Sequence, residues 1–430
     1  MPIFLTLLIA VLVAALPRVA RAQSGPDDSS SAQHDMQHMH DMDAMSMPPS
    51  RDASGTSWLP DDSPMYAMHH QVGAWTLMTH ANAFVQYLYE SGDRGATQFG
   101  SINWFMGMAD RTIGSGHLGF RAMVSLEPWT IRGCGYPDLL ASGERCGGAA
   151  IHDRQHPHDL IMELAATYDR PLAGTVRLQL YGGPAGEPAL GPTAFPHRMS
   201  ALPNPLAPIT HHWFDATHIT YGVVTAGVYG ARWKAETSVF NGREPDEKRT
   251  NLEFGRLDSW SGRAWWLPSR QWALQVSAGR LVEAEASDDE QARVDVLRTT
   301  ASATYHRATG IGAIWASTVG WGRNEESAGE ATNALLAEST LTLANRHSWF
   351  GRFELSQKSA HDLGVEASGV FTVAKLGAGY TRYFAPIQGW ASGVGAAVSA
   401  GFVPDALVPA YGRRVNPGAA VFVTIRPGAM

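Results

Sequence analysis

The residues with the most chemistry to offer lie in one run, His34-Asp35-Met36-Gln37-His38-Met39-His40-Asp41-Met42-Asp43-Ala44-Met45-Ser46-Met47. Methionine recurs at every third position from Met36 to Met45, with His34, His38, His40 and aspartates between and Met47 just beyond. Thioethers are soft ligands that suit Cu(I), whereas imidazole and carboxylate suit Cu(II) and other borderline ions. A flexible chain can wrap either state without a preformed cage. The competing reading is a low-complexity linker, but linkers favour Gly, Ser, Pro and Glu, and methionine is uncommon in them. Copper ions are therefore the expected ligand of this run.

Two further clusters could hold a borderline metal. One is His152-Asp153-Arg154-Gln155-His156-Pro157-His158-Asp159; the other comprises His197, His211, His212, Asp215 and His218. If both sit in loops at the same end of the fold, His152, His156, His158, His211, His212 and His218 could converge as ligands, each imidazole oriented by a carboxylate. They could equally form a buried polar network that pins the loops together, with Arg154 and Arg198 as partners. Pro203-Asn204-Pro205-Leu206-Ala207-Pro208 between them reads as a rigid constriction loop. His69, His70 and His80 either extend the metal site or only sit at an interface. The acidic run Glu283 to Glu290 reads as a solvated loop.

Catalysis has little to stand on. There is no Gly-x-Ser-x-Gly elbow, no His-Glu-x-x-His and no Gly-rich phosphate loop. Ser302 and His306 share a strand face, a spacing common by chance. The chain is not expected to be an enzyme.

The elements that must position these residues follow from pattern. An apolar run from Ile3 to Leu16, then Ala20-Arg21-Ala22, reads as a signal peptide over residues 1–22. Of 33 basic residues its removal takes Arg18 and Arg21, leaving 31 against 40 acidic ones, a charge of −9 that argues against nucleic acid. Residues 23–70 are rich in Ser, Asp, Pro, His and Met, too poor in apolar side chains to offset their ordering entropy, and read as a disordered periplasmic arm. Residues 71–430 hold most of the 14 Trp, 12 Tyr, 15 Phe and 44 Gly, and alternate apolar with polar residues at the strand period. Trp272, Leu274, Val276 and Ala278 oppose Gln271, Ala273, Gln275 and Ser277, one face for lipid and one for a wet lumen.

Sixteen such segments can be marked, though 12 to 14 strands also fit the pattern. Their connections alternate short and long, as with Pro268 to Arg270 against Pro184 to Trp213. A soluble propeller or sandwich does not explain that asymmetry, whereas an outer-membrane barrel has short periplasmic turns and long outer loops. The expected fold is an all-β, transmembrane, antiparallel up-and-down β-barrel in the bacterial outer membrane, with lipid as its solvent and the arm in the periplasm. Cys134 and Cys146, 12 apart in a secreted chain, are expected to form a loop disulfide. There is no room for a plug domain with 22 strands, and there are no heptads for an export duct.

The organisation of signal, Met/His arm and barrel resembles copper resistance protein B. The blocks His152 to Leu164, Gly186 to Pro192 and His211 to Thr225 look like those of an uncharacterised group of outer-membrane barrels encoded among metal-resistance genes. The resemblance implies copper or heavy-metal handling at the outer membrane, with periplasmic copper oxidase or efflux components as partners. Only the arm's Met and His positions carry over. A metal-tolerance barrel is thus the first functional expectation, a general diffusion porin or substrate channel with an incidental arm the second, and an outer-membrane enzyme the third.

Overall fold

The computed structural model describes residues 51–286, 293–309, 312–327 and 329–429. The signal peptide and the Met/His run from His34 to Met47 lie outside the described residues.

The strands near the start are β1 (Met68–Val72), β2 (Trp75–Glu90), β3 (Thr97–Ile113) and β4 (Gly116–Val124). A long connection then holds α1 (Glu127–Thr130) and the hairpin β5 (Tyr136–Cys146) and β6 (Ala149–Gln155). Next come β7 (Ile161–Ala173), β8 (Val176–Ala185) and, after a loop carrying α2 (His211–Phe214), β9 (Val223–Tyr229) and β10 (Trp233–Phe240). They are followed by β11 (Ser259–Ser269), β12 (Trp272–Ala286), β13 (Arg293–Thr309), β14 (Ala313–Glu326) and β15 (Thr332–Leu343). The set ends with β16 (His347–Ser359), β17 (Val370–Tyr383), β18 (Trp390–Phe402) and β19 (Val415–Pro427).

All but β1, β5 and β6 pair antiparallel with their neighbours in one ring, and β19 closes it on β2 from Gly418 opposite Glu90 to Ile425 opposite Ala83. The ring has sixteen strands. Every strand crossing lipid must have its backbone groups paired, and only closure achieves this for a sheet. No helix among the described residues is long and apolar enough to cross a membrane. The strand faces show which solvent each meets. Val398, 64% exposed, Val276, Val319 and Trp266 point outward, while their neighbours Ser277, Thr318 and Trp265 are buried inside. An exterior of large apolar side chains around a charged interior is the inverse of a water-soluble protein and fits a lipid surround.

Turns at one end are short, as at 114–115, 174–175 and 270–271; connections at the other end include 125–160, 186–222, 241–258 and 403–414. By that asymmetry the short turns are periplasmic and the long loops outer. The sixteen expected segments correspond to the ring strands, with two differences. The strand expected to run to Ile131 stops at Val124, because Pro128 sits in the first turn of α1. The strand expected from Phe214 begins only at Val223, because His211–Phe214 form α2, buried inside the barrel.

The larger correction concerns the arm. Residues 51–67 were expected to be disordered with the rest of 23–70, but they run across the periplasmic end of the lumen. Trp58 is 0% exposed among Tyr229, Trp265, Leu267 and Ala273. Arg121 donates to Ala53 and Gly55 carbonyls, Lys234 to the Thr56 carbonyl, and Ser63 bonds His306 at 2.6 Å. The segment is too poor in apolar residues to order itself; the barrel wall supplies its partners.

At the outer end, Cys134 and Cys146 are joined, with Cα atoms 5.7 Å apart, and staple the β5–β6 hairpin. Leu139 and Leu140 pack against Val373, Val403, Leu407 and Tyr411, while Lys375 donates to Glu90 (2.7 Å) and Asp138 (2.6 Å). Lys375→Met would leave two buried carboxylates without their cation, costing about 3–5 kcal/mol. Trypsin should then cut the hairpin at Arg145 and Arg154 faster than in the wild type; equal cleavage rates would contradict this docking.

Candidate functional site

The longest inward element is the connection from β8 to β9. Its residues cross the lumen and bond the wall on several sides: Asn82 donates to the Leu202 carbonyl, Thr340 to Ser200, and Arg352 to Leu206. Thr210 bonds Glu354 through both its amide and its hydroxyl (3.1 and 2.8 Å). The Pro-rich stretch, expected as a constriction loop, is folded into the lumen and bonded to its wall.

Within this loop α2 places His211 four residues before Asp215, and His211 Nδ1 lies 2.7 Å from Asp215 Oδ1. The Asp215 carboxylate also accepts from the Phe195 amide (2.7 Å) and Arg198 (3.2 Å), and Arg198 continues to Glu338 on the wall. His218 Nδ1 donates to the Asp215 carbonyl at 2.7 Å. From the other outer loop, His158 is held by Glu127 on α1, whose carboxylate accepts from its Nδ1 (3.0 Å) and its amide (2.9 Å). His156 Nε2 stands 3.1 Å from Glu144, and His212 Nδ1 3.1 Å from Glu244.

Five of the six expected imidazoles thus converge. Ring centroids lie 5.1 Å apart for His211 and His218, 5.3 Å for His158 and His218, 5.5 Å for His211 and His212, and 6.4 Å from His156 to His211 and to His212. Phe195 packs against three of them. His152 does not join; its Nδ1 donates to the Asp362 carbonyl at 3.0 Å. His197 lies against Trp104 instead. Ser302 and His306 are engaged apart, with Gln275 and Ser63. The arm candidates His34, Met36, His38, Met39, His40, Met42, Met45 and Met47 lie outside the described residues.

Burial pushes the imidazoles of His156, His211, His212 and His218 toward the neutral form, outweighing nearby carboxylates where these exist. For His158 burial acts in the same sense, yet Glu127 outweighs it and its pKa is raised. Burial works against the Asp215 anion, but His211 and Arg198 hold its carboxyl well below the usual carboxylate range. Carboxylate-oriented neutral imidazoles are what a metal ligand set looks like, and also what a pinned network looks like. Geometry separates the two. Among the described residues, three ligand atoms come within 4.8 Å of one another in His212, Glu244 and Glu285 rather than among the five rings. Both glutamates escaped the sequence reading: Glu285 lay in a run taken as a solvated loop, and Glu244 carried no signal.

Above this cluster lies a cavity of about 340 Å³ between the β5–β6 hairpin, the 241–258 loop and the outer ends of β12, β14 and β16. Glu244 and Glu285 line it with five more carboxylates, against three basic side chains, Arg145, Lys248 and Arg293.

No family model matches the chain, and no curated protein matches it. Nothing therefore ties it to copper resistance protein B. Solved structures do match. An anion-selective porin from Comamonas acidovorans superposes with a TM-score of 0.50 at 12% identity, over 83% of this chain and 100% of the porin. Salmonella typhi OmpF, in a complex with daunomycin, gives 0.52 at 10% identity, over 84% and 100%. The fold is that of an outer-membrane porin. At such identities the likeness extends to the fold and no further.

The imidazoles make loop docking depend on pH. Four have folded pKa values below the ordinary 6.5, so their contribution is complete above about pH 6.5 and is lost as pH falls below it. His158, raised, acts oppositely: its contribution is present below 6.5 and lost as pH rises through its folded value. Four outweigh one. Amide-exchange protection across 205–222, corrected for intrinsic rate, should fall between about pH 7.5 and about pH 5; constant protection would contradict this.

Proposed function

We propose that the chain forms an outer-membrane channel for small hydrophilic solutes, closed in this conformation by its own infolded segments and favouring cations at its outer mouth. The observation that carries the reading is that neither infolded segment contributes a strand to the ring. The bridges within them, Asp52 to Trp58 and Gly186 to Thr220, are internal, while the ring closes independently at β19 and β2. Displacing the segments would leave a complete barrel with a polar wall, the arrangement that lets water and solutes pass.

The porin fold of the solved relatives supports a channel over an enzyme. The anion selectivity of the Comamonas porin does not carry over: seven carboxylates against three basic groups at the vestibule attract cations and repel anions. Copper capture by the Met/His arm is a separate proposal, resting on the residue types at 34–47 alone.

The test is conductance in planar bilayers, comparing the intact barrel with one lacking both occluding segments, residues 51–67 and residues 187–219 of the β8–β9 connection, whose ends Gly186 and Thr220 are already bridged. The deletion should raise single-channel conductance by about tenfold, with K⁺ preferred over Cl⁻. A folded, heat-modifiable deletion variant that conducts no better than the intact chain would contradict the reading.

A further inference from the structure

We infer that His212, Glu244 and Glu285 form a binding site for a divalent first-row transition ion, at the boundary between the outer vestibule and the imidazole cluster. The three come from separate elements: α2, the 241–258 loop and the outer end of β12. Their ligand atoms all lie within 4.8 Å of one another, and His212 Nδ1 is 3.1 Å from Glu244 Oε1. Donors about 2.1 Å from a tetrahedral ion stand roughly 3.4 Å apart, so the His212–Glu244 edge already has that spacing.

Hydrogen bonding and charge point the same way. On the site's side, the buried Glu285 Oε1 has no hydrogen-bond partner among the described residues, while the opposite edge of the His212 ring, Nε2, lies against Gly143. Arg298 forms a long ion pair with Glu285 at 3.6 Å and donates its Nε to Asn324. Glu244 and Glu285 line the 340 Å³ cavity, which gives an ion a route in from outside.

The hairpin is shaped to cover the ring. Gly143 has φ +111°, and a Cβ there would overlap the His212 imidazole, so only glycine lets the backbone close over it. One nitrogen and two oxygens, with no sulfur, suit Zn²⁺ or a similar borderline ion rather than Cu(I). The site thus differs in chemistry from the Met/His arm.

The test is zinc uptake by the intact mature chain, folded in detergent and dialysed against buffered free Zn²⁺. Because imidazoles of the arm, His34, His38 and His40, could take up zinc as well, the readout is the difference between the wild type and Glu244→Gln/Glu285→Gln. The wild type should hold about one more ion per chain, with affinity at this site at least about 100-fold above any residue left in the double variant. Gly143→Ala, which keeps every ligand but displaces the imidazole, should weaken the site at least about 10-fold. Equal uptake by folded wild type and double variant overturns the proposal. Should the double variant not fold, wild-type trypsinolysis decides: bound Zn²⁺ should slow cleavage at Lys248 in the bridged loop, and an unchanged rate overturns the site. Occupancy is measured without transport, so its outcome is independent of the conductance test.

Discussion

A backbone that crosses hydrocarbon has no water to bond, so each strand here needs a partner on both edges, and the pairing of β19 with β2 provides the last of them. Most of the remaining structure follows from that closure. Strand residues alternate sides, so an exterior built for lipid dictates an interior built from the other half of each strand. That half is rich in charge: Lys234, Glu236, Arg263, Arg298, Glu338, Arg352, Lys358 and Lys375 are all buried. Such groups must be solvated or paired.

Infolded chain does the pairing. Arg263 bonds Glu236 on the wall (2.8 Å), the Gly191 carbonyl (3.0 Å) of the β8–β9 loop and the Thr56 hydroxyl (3.1 Å) of the N-terminal segment. One guanidinium thus joins both occluding segments to the barrel. Glu338 does the same for the outer half, accepting from Arg352 on the neighbouring strand and from Arg198 and Ser200 in the loop. These links are polar, but Trp58 of the N-terminal segment and Trp213 and Phe214 of the loop are buried beside them, so displacing either segment also gives up apolar contacts. A wall of this kind can be filled or emptied without altering the ring.

The ring itself was legible in the sequence because a half-lipid, half-wet strand prints a period of two. Val176, Leu178 and Leu180 point outward and Arg177 and Gln179 inward, as their alternation implied. The convergence of His156, His158, His211, His212 and His218 was partly legible, since loops at the same end of a barrel must neighbour one another. Of their carboxylate partners only Asp215 was: Glu127, Glu144 and Glu244 lie in other segments and become partners only through the fold. Residues 51–67 were misread for the same reason. Trp58 finds Tyr229 and Trp265 far along the chain, so no local window could show that the segment has a core to join. His152 fell away because its strand in the hairpin turns it toward Asp362.

The central claim is that the chain from Arg51 to Ala67 occupies the periplasmic end of its own barrel in the membrane. Ser63 and His306, which touch across that end, offer the direct measurement. Cysteines at both positions, treated in intact outer membranes with a short bifunctional thiol reagent, should cross-link nearly completely, while the single-cysteine controls stay unlinked. A pair that links no faster than those controls would show that the segment does not lie in the lumen.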